Sequence, residues 1–472
     1  MDKAGIAMAG KMTKFESGNK TGQSLQMRTR TIFALTAMAV VFAACSTRQP
    51  AVHSPVNMVI IDPGHFHAAL PQKGMLEGVC DTVRVFAPEG PEVQSYLSTV
   101  ASFNGREQDP TSWVEVPCIC QDFLDSVPQA GKGDFVVLAG NNSKKSAYIL
   151  EAVKKGYNVL SDKPMAIDEE GYAKVKEAYA LAEEKGLLVY DLMTERYDVL
   201  NEIVRGIVAS GEVFRSPLDS VSMESVHHFY KNVAGSVLTR PQWYYDVTQQ
   251  GEGIADVTTH LVDLALWQCF PGEGVKAEDV VLKSASHYPT TLTPAQFKAS
   301  TGADSFPSFL SGCVKDGNLE VFSNGEFSFE AKGVPVTIAV RWDFEAPQGT
   351  GDTYSAKISG KEAVVEIIQD ESTGYVEQLY VTASDEIVAK VKECLANNYP
   401  FANVIPSEEV PGRWLVDVRE ADRPGHEEHF NVVASTFIGY LGGARVPAWE
   451  KVNTLTKYLL TTSAVSRVRS GS

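Results

Sequence analysis

The sequence has no C-x-x-C pair, no internal repeat period, no long basic stripe and no run of about 18 apolar residues. Without C-x-x-C, structural zinc sites of the ribbon type and thioredoxin-like redox chemistry are excluded. Without a repeat, solenoids and propellers are excluded. Without a basic stripe, and with a formal net charge of -17, nothing neutralises phosphates in bulk, so nucleic acid is not the expected partner. Without a long apolar run there is no expected membrane-spanning helix. Cysteine is sparse, seven in 472 residues. Cys80, Cys118, Cys120, Cys269, Cys313 and Cys394 follow no disulfide framework and read as free thiols.

Hydrophobic residues at 44% and charged residues at 21% suit a soluble globular chain of two domains behind a leader. Residues 1–50 read as that leader. Met27 opens a stretch with Arg28 and Arg30, an apolar run from Ile32 to Val41, and then Phe42-Ala43-Ala44-Cys45. A positive start, a short apolar core and small residues at a cleavage point make a signal peptide. Met1 to Gln26 would then precede the true start. Small residues directly before Cys45 resemble the lipobox of bacterial lipoproteins, which implies lipidation of Cys45. With Ser46 following, known sorting rules imply anchoring to the outer membrane of a Gram-negative bacterium, facing the periplasm. The membrane is expected only through that anchor.

From 55 to 198 short apolar runs alternate with helical patterns. Val56 to Ile61, Val83 to Phe86, Phe135 to Ala139, Asn158 to Leu160 and Leu187 to Tyr190 read as buried strands. A helix start is expected over His65 to Leu70, and helices at Ser143 to Lys155 and between Asp168 and Gly186. This alternation predicts a Rossmann-like, doubly wound parallel sheet in an α/β domain. From 199 to 472 strands dominate, many with one polar face: Val221 to His228, Val280 to Ser286, Gly325 to Ala331, Val334 to Phe344, Tyr354 to Ile358, Ala363 to Ile368 and Val376 to Val381. Helices are expected at Asp256 to Trp267, Asp385 to Asn397 and His426 to Leu441. The second domain reads as α+β with a large, mostly antiparallel, open-faced sheet.

Ligands of an open parallel sheet bind at the carboxyl ends of its strands. The loops expected there carry Asp62, Gly64, His65 and His67, then Gly140, Asn141 and Asn142, then Asp162 and Lys163. The first loop reads Asp62-x-Gly64-x-x-His67, so only the central glycine of a G-x-G-x-x-G fingerprint is kept. Glu89, after the second strand, is the nearest carboxylate for an adenosine ribose and favours NAD over NADP. Asp256 and His260 are four apart and share a helix face. His titrates near neutrality and suits proton transfer. Arg196, His228, Trp243 and Tyr244 are candidate substrate contacts, the aromatics because a sugar ring stacks on them. His426-Glu427-Glu428-His429 lacks the spacing of H-E-x-x-H and reads as a helix N-terminal cluster. No metal site is expected.

The segment Gly133 to Asp168, with Asp162-Lys163-Pro164 at a strand end, and Asp256-x-x-x-His260 later in the chain, resemble the Gfo/Idh/MocA family of glucose–fructose oxidoreductase and inositol dehydrogenase. The departures mark a divergent branch: Asp162 for the usual Glu, Ala139 to Asn142 for the usual Thr-Pro loop, and Asp62 and His67 for glycines. The opening Asp62-Pro-Gly-His-Phe-His-Ala-Ala-Leu resembles secreted oxidoreductase-like proteins of gut Bacteroidetes. The resemblance implies a tightly held NAD, with NADP as the alternative. It implies oxidation of a secondary hydroxyl of a sugar or glycoside, with secreted relatives suggesting C3 and a keto-glycoside product. Lys163 would act electrostatically, His260 as acid/base and Asp256 as orienter. A homo-oligomer is expected. Two other readings stay open: an NAD-dependent glycosidase acting by oxidation and elimination, with Tyr244, His228 or His429 as second base, and a non-catalytic sugar-binding lipoprotein.

Overall fold

The computed structural model describes residues 55–233, 236–408 and 410–471. The leader and Cys45 lie outside the described residues. The first domain contains β1 (Met58–Ile61), β2 (Thr82–Ala87), α1 (Pro91–Gly105), β3 (Val114–Ile119), α2 (Phe123–Ser126), β4 (Phe135–Leu138), α3 (Asn142–Lys154), β5 (Asn158–Asp162), α4 (Glu169–Lys185) and β6 (Val189–Leu192). Its strands pair in parallel in the order β3-β2-β1-β4-β5-β6, which is the doubly wound Rossmann order. Strands β1, β4, β5 and β6 are buried at every position, as strands covered on both faces must be. Asp168 caps α4 by accepting from Gly171 N at 2.7 Å, and Gly186 ends it, as expected from sequence.

The expected helix after β1 is absent. Residues 66–68 and 70–72 form two 3-10 turns instead. Pro71 lacks the amide hydrogen that a helix continuing through it would need. The backbone N–H groups of Gly64 and His65 both donate to Ala139 O, at 3.0 and 3.1 Å, so the chain is pulled sideways over the end of β4. The sheet face this leaves open is covered from far along the chain, as described below.

The second domain runs α5 (Val199–Ala209), β7 (Ser220–Tyr230), the short hairpin β8 (Asn232–Val233) and β9 (Ser236–Val237), α6 (Gly253–Asp256), α7 (Thr258–Cys269), β10 (Val280–Leu292), α8 (Pro294–Thr301), β11 (Val314–Lys315), β12 (Asn318–Ala331), β13 (Val334–Glu345), β14 (Thr353–Ser359), β15 (Ala363–Ile368), β16 (Gln378–Ala383), α9 (Asp385–Asn398), β17 (Ala402–Pro406), β18 (Arg413–Val418), α10 (His426–Leu441) and α11 (Trp449–Ser470). Its large sheet has the order β10-β12-β13-β7-β14-β15-β16-β18-β17, antiparallel except for β13 beside β7. One face packs on α5, α6 and α7 in a single hydrophobic core.

One helix from beyond the boundary at 198/199 packs back on the first domain. Phe430, Val433, Ala434 and Phe437 of α10 are part of the first domain's core, together with Met58, Ile60, Phe135 and Tyr190. The Phe437 ring lies 5.3 Å from that of Phe135. Helix α10 therefore supplies the layer that the 3-10 turns do not. Tyr458 of α11 joins the core on the opposite face. All six described cysteines are free, and no described helix is long and apolar enough to cross a membrane.

Candidate active site

The loops after β1, β4 and β5 meet at one edge of the parallel sheet. Asp62 stands where a fingerprint glycine would, with φ 44°, a left-handed conformation that Asp tolerates better than most residues. Its carboxylate accepts from Tyr148 Oη at 2.8 Å and Lys144 Nζ at 3.4 Å. A Cβ on Gly140 would stand 2.3 Å from Asp62 O, so only glycine permits this approach of the two loops. Beside them lies a groove of about 170 Å³ bordered by Asp62, Gly64, Glu89, Asn141, Lys144 and Trp243. It brings Glu89 and Glu92, just past β2, together with Lys144; the carboxylates suit ribose hydroxyls, and the lysine is, among the described residues, the one cation there for a phosphate. Trp243 also borders a wider cleft of about 720 Å³, with His65, Phe66, Arg240 and Tyr244.

Lys163, directly after β5, reaches across to the second domain. Its Nζ donates to Asp256 Oδ1 at 2.8 Å. Asp256 Oδ2 accepts from Gln250 Nε2 at 2.9 Å. Burial opposes the Lys163 ammonium, but Asp256 and Asp162 more than offset it and hold its pKa above the ordinary lysine value. Burial likewise works against the Asp256 carboxylate, and Lys163 outweighs this and holds its pKa low. The pair is therefore ionised. Asp256 closes α6, and His260, half-buried, lies in the first turn of α7, with Val257 helical between them. Helix α6 can approach β12 because residue 253 is glycine: a Cβ there would overlap Ser323 O at 1.8 Å. Local sequence thus places Asp256 within reach of Lys163.

Other expected residues fall elsewhere. Asn141 caps α3, accepting from Ser143 N at 3.1 Å, and its amide donates to Gln249 at 2.8 Å. Asn142 is turned inward, buried, and donates to Gln250 O at 2.7 Å. It therefore joins the two domains, which corrects its expected place at the cofactor. His67 is also turned inward, its Nδ1 3.2 Å from both oxygens of Asp162. Arg196 is a correction too. It is 5% exposed, with its guanidinium engaged by Asp263 at 2.5 and 2.6 Å and by Glu450 at 2.8 and 2.9 Å. Every nitrogen of the guanidinium is thus already engaged within the core. His228 is buried against Asp352 at 3.1 Å and is likewise corrected, because its ring belongs to the packing of β7. Tyr244 is buried at the cleft wall with Arg240 4.4 Å over its ring. At the start of α10, Glu428 accepts from Gly425 N at 2.6 Å, the N-terminal cluster expected there.

Lys145 and Lys457 had no sequence reading, and His227 was read only together with His228 at a strand end. Lys145 is 2% exposed and donates to Asn142 Oδ1, Asp162 O and Lys163 O. Burial pulls its pKa down to about 8. It lies three residues after Asn142 on α3, a spacing that could have signalled it. His227, beside the expected His228, holds Asp352 Oδ2 at 3.1 Å and Ser225 Oγ at 2.8 Å and stacks on Trp342. Lys457, fully buried, joins Asp191 and Asp263 at 2.8 Å each.

Comparison with known proteins agrees with this architecture. Residues 199–469 match the family model described as "Putative oxidoreductase C terminal domain". Residues 89–191 match the model of the oxidoreductase family with an NAD-binding Rossmann fold, Gfo/Idh/MocA. The chain is similar to an oxidoreductase of Parabacteroides merdae known from its crystal structure, with 36% identity, a TM-score of 0.85, and coverage of 89% of this chain and 98% of that one. An Agrobacterium radiobacter oxidoreductase, solved with NAD+, L-tartaric acid and magnesium, shares the fold at 14% identity and a TM-score of 0.54, covering 88% of this chain and 97% of that one. The oxidoreductase YteT of Bacillus subtilis is 24% identical over 173 residues, 37% of each chain. The strand order, the lysine at the end of β5 joined to an aspartate of the second domain, and these matches lead to one conclusion: the chain belongs to the Gfo/Idh/MocA family of oxidoreductases.

Proposed function

We propose that this oxidoreductase oxidises, or reduces back, a secondary hydroxyl of a sugar or glycoside, with NAD held in the groove beside Glu89 and Lys144. The observation that carries the reading is the buried Lys163–Asp256 contact at 2.8 Å, which joins the end of β5 to the helix leading to His260. A bound nicotinamide supplies or accepts the hydride. Lys163 holds a fixed positive charge for the substrate oxygen. Asp256 keeps that ammonium charged and in place. His260 takes the hydroxyl proton as the carbonyl forms and returns it in reverse. Trp243 offers aromatic surface to a sugar ring at the wall of the wider cleft, with the buried Tyr244 packed behind it.

The finer features belong to the same proposal: NAD rather than NADP because Glu89 borders the groove, C3 as the carbon oxidised, and a homo-oligomer in solution. Lipidation at Cys45 would place the enzyme on the outer membrane, facing the periplasm, where free cofactor is scarce and a tightly held one is the simplest solution. Cys45→Ala should release the protein from the membrane fraction or leave its leader uncleaved; an unchanged fraction and mass contradict the anchor. The main test is a glycoside screen with the purified full chain, reading keto-sugar product. Turnover in wild type and loss in Lys163→Ala support the reading, and product formation unchanged in Lys163→Ala refutes it.

A second reading, oxidation followed by elimination and hydration, has one specific feature in its favour. It needs a further base, and His227 is oriented by Asp352 and electrostatically coupled to Asp256. Net hydrolysis without net redox in the same screen would select it.

A further inference from the structure

The sideways course of the chain after β1 brings two imidazoles to the end of β5. Strands β1 and β5 are not neighbours, since β4 lies between them. Only because Gly64 and His65 hang from Ala139 O does the turn 65–67 cross β4 and arrive beside Asp162. There His67 Nδ1 stands 3.2 Å from both carboxylate oxygens, and His65 Nδ1 stands 4.0 Å from Oδ2. One donor atom from each of the three side chains lies within 4.8 Å of the other two.

From this geometry we infer that His65, His67 and Asp162 form a three-ligand site for a divalent transition-metal cation, opening on the wider cleft. The donor set is two nitrogens and one carboxylate oxygen, which suits Zn2+, Co2+ or Fe2+ and not the all-oxygen preference of Mg2+ or Ca2+. With metal bonds of about 2.0–2.1 Å, tetrahedral ligand atoms stand about 3.3 Å apart. His67 and Asp162 already have that separation, and His65, 4.0 Å from Asp162, needs to close by about 0.7 Å on that side and by up to about 1.5 Å towards His67. Its Nδ1 accepts from His67 N at 3.4 Å, a long hydrogen bond that ligation would replace, and its side chain, 22% exposed, borders the cleft.

The groups facing this corner are compatible with a cation. Phe430 of α10 closes the inner side, its ring 4.6 Å from that of His67. Two ammonium groups are near, and both are engaged elsewhere: Lys163 by Asp256, and Lys145 by Asn142 and the carbonyls of Asp162 and Lys163. Coordination positions not filled by protein face the cleft, where water or a substrate oxygen would complete the shell. The inference departs from the expectation of no metal, and it does not depend on the redox reading, because metal binding is measured without turnover.

The test uses the full chain, stripped with a chelator and dialysed against metal-free buffer, then titrated with Co2+ alone. One equivalent should bind, with visible absorption bands of a low-coordinate nitrogen-containing site, and Zn2+ should displace it. His65→Ala and Asp162→Asn should each weaken Co2+ more than about 100-fold, since loss of an outer-shell partner alone costs up to that much. His65→Ala changes a side chain at the rim, so it keeps the test decisive if Asp162→Asn fails to fold. Absence of a stoichiometric site in wild type, or binding unchanged in His65→Ala, overturns the inference.

Discussion

Asp256 accepts from Lys163 on one oxygen and from Gln250 on the other, and its charge is what keeps a buried lysine protonated. Asp256→Asn removes that charge while keeping the shape. Burial then acts on Lys163 with less opposition, so its pKa falls. The rate should therefore decline at high pH from a lower pH than in wild type, which a pH profile of turnover reads directly. His260→Ala should cost roughly 10²–10⁴-fold, mainly in kcat, if His260 moves the proton; near-normal turnover contradicts that role. Arg196→Ala should act on stability instead. It strands Glu450 in the core, leaves Asp263 with Lys457 alone, and should cost about 3–5 kcal/mol in urea unfolding. Asp263, held low by Arg196 and Lys457 against the opposing effect of burial, contributes stability above the ordinary carboxylate pKa. That contribution is lost as pH falls through its depressed folded value. Lys163 and Asp256 were legible in sequence because a strand end and an i,i+4 spacing are local signals. Arg196 was misread because its partners lie 67 and 254 residues away, and a basic residue after a strand says nothing about what it meets.

At the scale of elements, short, mostly apolar runs announced β1, β2, β4, β5 and β6, and alternation announced most of the large sheet. Strand β3 carries no such run. It is an edge strand with Val114 and Val116 exposed and Pro117 within it, and proline is tolerated only where no neighbour needs its amide. Helix α11 was missed for a different reason. Thr454, Thr456, Thr461 and Thr462 are buried, so its inward face carries hydroxyls where a periodicity reading looks for apolar residues. Thr462 satisfies its own by donating to Tyr458 O at 2.6 Å. Helix α10 was legible as a helix, but its destination was not. Its packing on the first domain's sheet predicts that Phe437→Ala, far from the domain boundary in sequence, destabilises that domain by about 3–5 kcal/mol. Hydrogen exchange should show the loss in β1 and β4 as well as in α10; an effect confined to the second domain would contradict this.

At the scale of the whole molecule, the two-domain Rossmann and open-sheet plan was legible, and the family followed from it. What no local pattern disclosed is that the chain's last two helices return to the first domain, one on each face of its sheet. That return covers the sheet face left open by the missing helix after β1; the helix N-terminus that would meet a pyrophosphate is absent with that helix. The account rests on the groove beside Glu89 and Lys144 still holding a dinucleotide without that helix. The most direct measurement is to denature the purified full-length protein and identify what it releases. The account predicts close to one NAD per chain. Release of no dinucleotide, together with no NAD or NADP binding at millimolar concentration, would contradict it and leave a sugar-binding protein on an oxidoreductase fold.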